Sequence, residues 1–279
     1  VPSATMAKYT MQDLTVSFTP SEPTVQTVKL TSSDENLKFF DSDSKTFSPE
    51  LTVDMEKTTV QIWAAAELSD VTITATSTEY SGASAGTCTL STTENVASYT
   101  AAEAWARGGN GNGTINFQGA NGMWEDIAVD GTTLSTDEKK SKFQVTANDR
   151  IQARQTILYI PVTGASTVKI DLAGTVSGDF YFGIGDSTSN SFTASSDGLT
   201  YTYDYAGGSN GLVVGNDLSL AMGTKGTGGN VAANTKYLKV VLGGTKDRYI
   251  SAITVTKTGE FTTSFEEVTT ETVMWDWGR

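Results

Sequence analysis

The stretch Lys142–Gly174, KFQVTANDRIQARQTILYIPVTGASTVKIDLAG, decides the fold class of this chain. Near its end Val168, Ile170 and Leu172 alternate with polar residues, as a half-buried strand requires, because successive side chains point to opposite faces. The preceding run, Ile157–Val162, is apolar on both faces, which predicts a more central strand. A Gly-Ala-Ser turn separates the two runs, so we predict a hairpin at the centre of a β-sandwich.

Short β-patterned runs recur on both sides of this stretch, without sustained helical periodicity. About six runs between residues 11 and 91 have the spacing of an Ig-like sandwich. About ten runs between residues 100 and 259 match the number of strands in a jelly roll. We therefore predict an all-β fold: an Ig-like spacer over residues 1–94, a larger jelly-roll β-sandwich over 95–260, and a linker or the start of a next module over 261–279.

Composition excludes several partners. Lys and Arg total 19 against 32 Asp and Glu, a formal charge of −13. Such a balance disfavours nucleic acid, which is bound by neutralising phosphates, and it disfavours anionic membranes. No apolar run approaches the roughly 18 residues of a spanning helix, so we expect no membrane insertion. The first residues, VPSATMAKYT, lack an initiator Met and a signal sequence, which indicates a processed or shortened chain.

The chain has no histidine and a single cysteine, Cys88. Ser-His-Asp and Cys-His catalysis, His-ligated zinc and intrachain disulfides are therefore excluded. A glycosidase with two carboxylates remains an alternative, because any suitably spaced pair could serve. We expect no enzyme activity and no cofactor, apart from a structural calcium ion that carboxylates such as those of Asp179, Asp186, Asp204 and Asp217 could bind.

Four segments in order resemble a known family: FQGANGMWEDIAVDGTTL (117–134), the opening stretch, LTYTYDYAG (199–207) and KYLKVVLGGTKDRYISAITVTK (236–257). Together they are similar to an accessory β-sandwich module of multimodular secreted bacterial pectate lyases and pectinesterases. The tripeptide Trp275–Trp277, Trp-Asp-Trp, resembles the opening of another such module. The resemblance implies a non-catalytic, extracellular module, secreted or attached to the cell surface, that binds or presents polysaccharide.

Aromatic faces and hydrogen-bonding side chains bind sugar rings, so outward-facing aromatic residues of the β-patterned runs are candidate carbohydrate contacts. The best candidate is Tyr181, which alternation places opposite its aromatic and apolar neighbours. Tyr203 and Trp105 are further candidates, although the tyrosines of LTYTYDY could equally line the core. Arg150 and Arg154 fall on one face of a strand and could bind pectic carboxylates, or form structural salt bridges.

The sequence thus predicts a carbohydrate-binding fragment that tethers neighbouring catalytic or surface domains of the same polypeptide to plant or dietary glycan such as pectin. The alternative is a structural or adhesive stalk of a bacterial surface protein, in which the sandwiches only project another domain. The two differ in one observable property, retardation of the chain by a glycan.

Overall fold

A computed structural model describes residues 2–17, 27–54, 59–79, 82–101, 143–147, 150–153, 156–174, 179–215, 234–244 and 248–262. The chain divides into two compact units between Asn95 and Val96, and the second unit extends to Ser264. Among the described residues no helix is long and apolar enough to cross a membrane.

The first unit consists of short strands whose outward side chains are mostly Thr, Ser and charged residues. They are β1 (Ser3–Ala7), β2 (Met11–Thr15), β3 (Thr27–Ser32), β4 (Leu37–Asp41), β5 (Thr46–Ser48), β6 (Glu50–Asp54), β7 (Thr59–Ala64), β8 (Val71–Ser77) and β9 (Gly86–Thr93).

These strands form two sheets, in the orders β1-β9-β8-β3-β6 and β2-β7-β4-β5. Strand β1 runs parallel to β9, whereas the neighbouring pair β8 and β9 is antiparallel. Alternate side chains from both sheets meet in one core, in which Leu30, Leu37 and Phe39 are fully buried. Two sheets packed face to face over one apolar layer make this unit a β-sandwich.

The second unit begins at Val96, one residue after the start of the predicted second domain, and two residues separate β9 from β10. Its described strands are β10 (Val96–Thr100), β11 (Phe143–Ala147), β12 (Arg150–Ala153), β13 (Thr156–Pro161), β14 (Ser166–Leu172), β15 (Phe180–Ile184), β16 (Thr193–Ala194), β17 (Thr200–Tyr205), β18 (Leu212–Val214), β19 (Lys236–Gly244) and β20 (Arg248–Lys257).

One sheet of this unit has the order β11-β12-β20-β14-β17-β16, and β10 also pairs with β20. The other has the order β13-β19-β15, with β18 also beside β19. Both sheets contribute to a single core, for example Leu158 of β13, Ile170 of β14, and Leu238 and Val240 of β19, all 0% exposed. The predicted all-β sandwich fold is therefore confirmed, whereas the finer Ig-like and jelly-roll designations stay predictions.

The predicted central hairpin is wrong. Strand β13 pairs with β19 in one sheet, whereas β14 lies between β17 and β20 in the other. Within the described residues β13 lies at the end of its sheet, which suits Pro161, because proline has no N–H for a second ladder. The stretch therefore joins the two layers across the core instead of forming one ribbon.

Gly164 explains how the chain crosses from β13 to β14. A β-carbon at Gly164 would overlap the carbonyl oxygen of Gly259, so only glycine allows the two backbones to come this close. Beneath the crossing, the ammonium group of Lys257, 3% exposed, lies 3.2 Å from the carboxylate of Glu260. Burial lowers the pKa of Lys257 and raises that of Glu260, and the attraction between them opposes both shifts.

Candidate functional site

The tyrosines of β17 point into the sandwich. Tyr201 and Tyr205 are only 7% and 3% exposed, which confirms the core alternative for these two residues. Tyr203, predicted as a carbohydrate contact, is half-buried and packs against the ring of Phe192, with 5.4 Å between ring centroids. Its position favours a packing role, because an aromatic pair of this kind contributes about 0.5–1.5 kcal/mol beyond the area it buries.

The buried phenol of Tyr205 makes the stability of the fold depend on pH above about pH 10. Its hydroxyl donates a hydrogen bond to the carbonyl oxygen of Gly208, and burial, with a smaller contribution from Tyr203, raises the pKa of Tyr205 to about 12. Because the folded pKa exceeds the unfolded value of about 10, the neutral phenol stabilises the fold fully below pH 10. This stabilisation is lost as the pH rises through 12.

We therefore expect Tyr205→Phe to behave differently on the two sides of pH 10. At pH 8 the variant loses about 1 kcal/mol of unfolding free energy with the hydrogen bond to Gly208. When the pH rises from 10 to 12, the unfolding free energy of the variant falls by about 1–3 kcal/mol less than that of the unmodified protein. Urea unfolding at pH 8 and pH 11 measures both effects. If the unfolding free energy falls equally in the two proteins between pH 8 and pH 11, the raised pKa of Tyr205 is contradicted.

Tyr181 lies on the outer face of the β13-β19-β15 sheet, as the alternation predicts. Its neighbours Phe180 and Phe182 turn inward to the core. Tyr181 pairs with Gly243 across the ladder, and a β-carbon at Gly243 would overlap the Cζ and Oη atoms of the tyrosine. The ring therefore lies across the backbone of Gly243, half-buried, instead of projecting from the sheet, and is held in place before any ligand arrives.

A hydrogen-bonding pair lies on the same side of the molecule. Lys239 and Gly243 are four residues apart on β19, so about 13 Å separates them along the strand. The Lys239 ammonium donates to the carboxylate of Asp186 over 2.6 Å, and this bond lowers the pKa of Asp186 below its usual value. Gly183 and Val241 lie between Tyr181 and this pair on the two strands. A β-carbon at Gly183 would overlap the carbonyl oxygen of Ser187, so the backbone of residues 187–189 covers this part of the sheet face.

Arg150 lies on the other sheet. It is half-buried at the beginning of β12, and its guanidinium carbon lies 5.7 Å from the ring centroid of Tyr249 on β20. A guanidinium within about 6 Å of a ring is held by cation–π attraction. Arg150 and Tyr249 together present a positive group beside an aromatic face, an arrangement suited to an acidic sugar.

Those predicted site residues that the structure describes do not converge. Tyr181 and Arg150 lie on different sheets of the second unit, and Tyr203 packs against the core between them. Trp105 and Arg154 lie outside the described residues. The sequence missed Gly243 and Tyr249, because both acquire their roles from strand pairing, and no local motif marks either one.

Among the described residues, the carboxylates proposed for calcium do not form a group of three either. Asp186 is bonded to Lys239, Asp204 accepts a hydrogen bond from Thr167 at 2.8 Å, and Asp217 is not among the described residues. In the part of the chain that the structure describes, no group of three or more Cys, Asp or Glu residues could hold a metal ion.

Comparisons with known proteins leave the family open. No family model matches the chain, and no curated protein matches it. Among solved structures, a match is found to the secreted serine protease VesC from Vibrio cholerae, with 10% sequence identity and a TM-score of 0.18. The alignment covers 93% of this chain and 50% of that one, so the chain spans half the length of the protease. A TM-score this low carries no argument about fold or function.

Proposed function

We propose that this chain is a non-catalytic, polysaccharide-binding fragment of a secreted or cell-surface bacterial carbohydrate-active protein, with an Ig-like unit preceding a jelly-roll unit. The observation that carries the proposal is the ring of Tyr181 laid across Gly243 on an outer sheet face. Sugar rings bind to such surfaces through their C–H groups, and neighbouring polar groups take up the hydroxyls.

The proposed mechanism is weak binding of glycan by the fragment, which becomes effective because the fragment is covalently linked to a neighbouring domain. One ring and a few hydrogen bonds give micromolar to millimolar affinity at most, on the order of −4 to −8 kcal/mol. Attachment of the fragment to a neighbouring catalytic domain would keep that domain at the substrate and raise its effective concentration there. The cation–π pair of Arg150 and Tyr249 supports an acidic, pectin-like glycan as one class of ligand.

Two substitutions that act on Tyr181 in different ways test the proposal. In affinity electrophoresis with pectin, xylan, starch and soluble cellulose, we expect Tyr181→Ala to abolish retardation of the full chain by the glycan that retards the unmodified protein. Gly243→Ala should weaken the same retardation about tenfold, roughly 1.4 kcal/mol, because the new methyl group displaces the ring.

Gly86→Ala is the matched control, because a β-carbon there would meet nothing within 4 Å. Circular dichroism of all variants checks that the fold is retained. Retardation of Tyr181→Ala equal to that of the unmodified chain would reject the site. No retardation of the unmodified chain by any glycan would reject glycan binding and favour the structural or adhesive stalk.

A further inference from the structure

The first unit, predicted only as a spacer, carries an outward tryptophan near the middle of its β2-β7-β4-β5 sheet. Trp63 lies on β7 between Ile62 and Ala64, which are 1% and 0% exposed in the core, so its side chain points to the outer face. On the two neighbouring strands it is paired with Met11 of β2 and Lys38 of β4. Trp63 is half-buried, so part of its ring reaches the surface between a thioether and an ammonium group.

Two further rings fix the orientation of this indole. The ring centroid of Trp63 lies 6.5 Å from that of Tyr9, with 71° between the ring planes, and 5.5 Å from that of Phe47. Phe40, 6% exposed, offers no surface to a ligand, but its ring centroid lies 5.1 Å from that of Phe47 and supports it from beneath. An indole held between rings has little conformational freedom to lose when a sugar ring packs against it.

The backbone of Tyr9 is strained in a way that keeps its ring beside Trp63. Tyr9 has a φ of 59°, in the left-handed region that bulky residues rarely adopt. Its N–H donates to the carbonyl oxygen of Ala64 over 2.9 Å, and Thr10 Oγ donates to that of Ala7 over 2.6 Å, so hydrogen bonds hold the turn between β1 and β2. Backbone strain of this kind clusters at ligand-binding sites, which supports a role for the Tyr9 ring in binding.

Lys38 gives this sheet face its positive charge. It is the only Lys or Arg on strands β2, β4, β5 and β7, and its ammonium group forms no ion pair with any residue that the structure describes. Residues directly opposite each other on neighbouring strands have β-carbons about 5 Å apart, so the ammonium group can reach over the Trp63 ring. A cation beside an aromatic face is suited to the carboxylate of a uronic acid.

The two carboxylates on these strands are engaged elsewhere. Asp13 accepts a hydrogen bond from the Gln61 amide over 3.4 Å. It lies two strand spacings and two residues away from Lys38, about 12 Å, which exceeds the screening length of about 8 Å in physiological salt. Asp41, three residues or about 10 Å along β4 from Lys38, accepts a hydrogen bond from Ser44 Oγ in its own hairpin over 2.7 Å. The charge of Lys38 is therefore available to a ligand at Trp63.

From the tryptophan, the rings that hold it and the ammonium group beside it, we propose that the first unit is itself a glycan-binding unit, and that its ligand is a uronate residue of a polysaccharide. The sugar ring packs on Trp63, and the sugar carboxylate accepts hydrogen bonds from Lys38. The inference rests on the proposed function in that it takes polysaccharide as the ligand, and it places in the first unit a pair like that of Arg150 and Tyr249 in the second. Two linked weak sites bind one polysaccharide more tightly than either does alone.

The test uses the full chain in affinity electrophoresis with polygalacturonate as the acidic glycan and with starch and soluble cellulose as neutral ones. Lys38→Gln removes the ammonium group, and Trp63→Leu removes the ring while keeping an apolar side chain. Lys29→Gln is the matched control, because it changes the net charge equally and Lys29 lies on the outer face of the other sheet of this unit, 2.8 Å from Glu50.

We expect Lys38→Gln and Trp63→Leu each to weaken retardation by polygalacturonate about tenfold relative to Lys29→Gln, roughly 1.4 kcal/mol, the effect of losing a hydrogen bond to a charged group or a ring contact. Lys38→Arg should retain the retardation, because a guanidinium also binds carboxylate. Retardation by starch and cellulose should be the same in all these variants. Circular dichroism checks that each variant is folded.

Several outcomes overturn the inference. Variants at Lys38 and Trp63 that polygalacturonate retards as strongly as Lys29→Gln reject the site. An effect confined to neutral glycans would assign the face to an uncharged sugar, and a changed elution volume of Trp63→Leu in size-exclusion chromatography would assign it to a second copy of the chain. Tyr181→Ala separates the two hypotheses: if that variant loses its retardation while the Lys38 and Trp63 variants keep theirs, the proposed function stands and this inference fails.

Discussion

Replacing Phe182 by alanine is expected to lower the free energy of unfolding of the second unit by about 3–5 kcal/mol. The side chain is 0% exposed and lies in the core between the two sheets. Its ring centroid is 5.2 Å from that of Tyr201, 5.6 Å from Phe192 and 5.8 Å from Phe180. Alanine would leave a cavity bordered by three rings, because neighbouring rings that pack against one another cannot all move in to fill it.

Urea unfolding followed by far-ultraviolet circular dichroism measures this loss. Phe182→Leu is the matched control, since leucine keeps most of the apolar volume and is expected to cost about 1–2 kcal/mol. The main-chain hydrogen bonds of residue 182, donated to the side chain of Asn190 and accepted from the N–H of Ser191, remain in both variants. A loss below about 1 kcal/mol for the alanine variant would contradict a central position for this ring.

Strand alternation was the part of the fold that the sequence revealed most reliably. In β14 every second residue, from Ser166 to Leu172, is buried, and the residues between are half-buried. Side-chain direction in a strand depends only on the local backbone, so the pattern can be read without knowing the partner strand. The same reasoning placed Tyr181 on the face opposite Phe180 and Phe182, and placed Tyr201 and Tyr203 on one common face.

Strand partners could not be read in this way. The predicted hairpin failed because adjacency in sequence favours pairing but does not require it. Pro161 was a signal that β13 lies at the end of its sheet, as it does within the described residues, and Gly164 was a signal that the chain passes close to another backbone. The partner in that approach, Gly259, is distant in sequence, so no local pattern could identify it.

Side-chain contacts at the sheet faces show the same difference between what is local and what is not. Alternation assigns Trp63 to an outward face, but the contacts of its ring with those of Tyr9 and Phe47 depend on the pairing of β2, β4 and β5 around β7. Likewise, the platform of Tyr181 depends on the register that sets it opposite Gly243. Function at a sheet face therefore becomes visible only when strand order and register are known, because neighbouring side chains come from distant parts of the chain.

Arg248 carries the second large expected effect: Arg248→Ala should lower the free energy of unfolding by about 3 kcal/mol. The side chain is 0% exposed, and its guanidinium carbon lies 3.5 Å from the ring centroid of Phe180. Burying a cation costs several kcal/mol unless its surroundings compensate. Here the ring face of Phe180, on the opposite sheet, supplies part of that compensation, and desolvated cation–π contacts contribute about 2 kcal/mol or more.

A double-mutant cycle isolates this contact from the lost packing. Arg248→Met keeps the volume of the side chain without its charge, and Phe180→Leu removes the ring face, so the cycle should yield a coupling energy of about 1–2 kcal/mol. Burial raises the pKa of Tyr201, while the Arg248 charge opposes that rise, so Arg248→Met should raise the pKa of Tyr201 further. Spectrophotometric titration measures the pKa of Tyr201, and urea unfolding measures the coupling energy between Arg248 and Phe180. A coupling energy of zero together with an unchanged pKa of Tyr201 would show that the Arg248 guanidinium interacts with neither the Phe180 ring nor the Tyr201 ring.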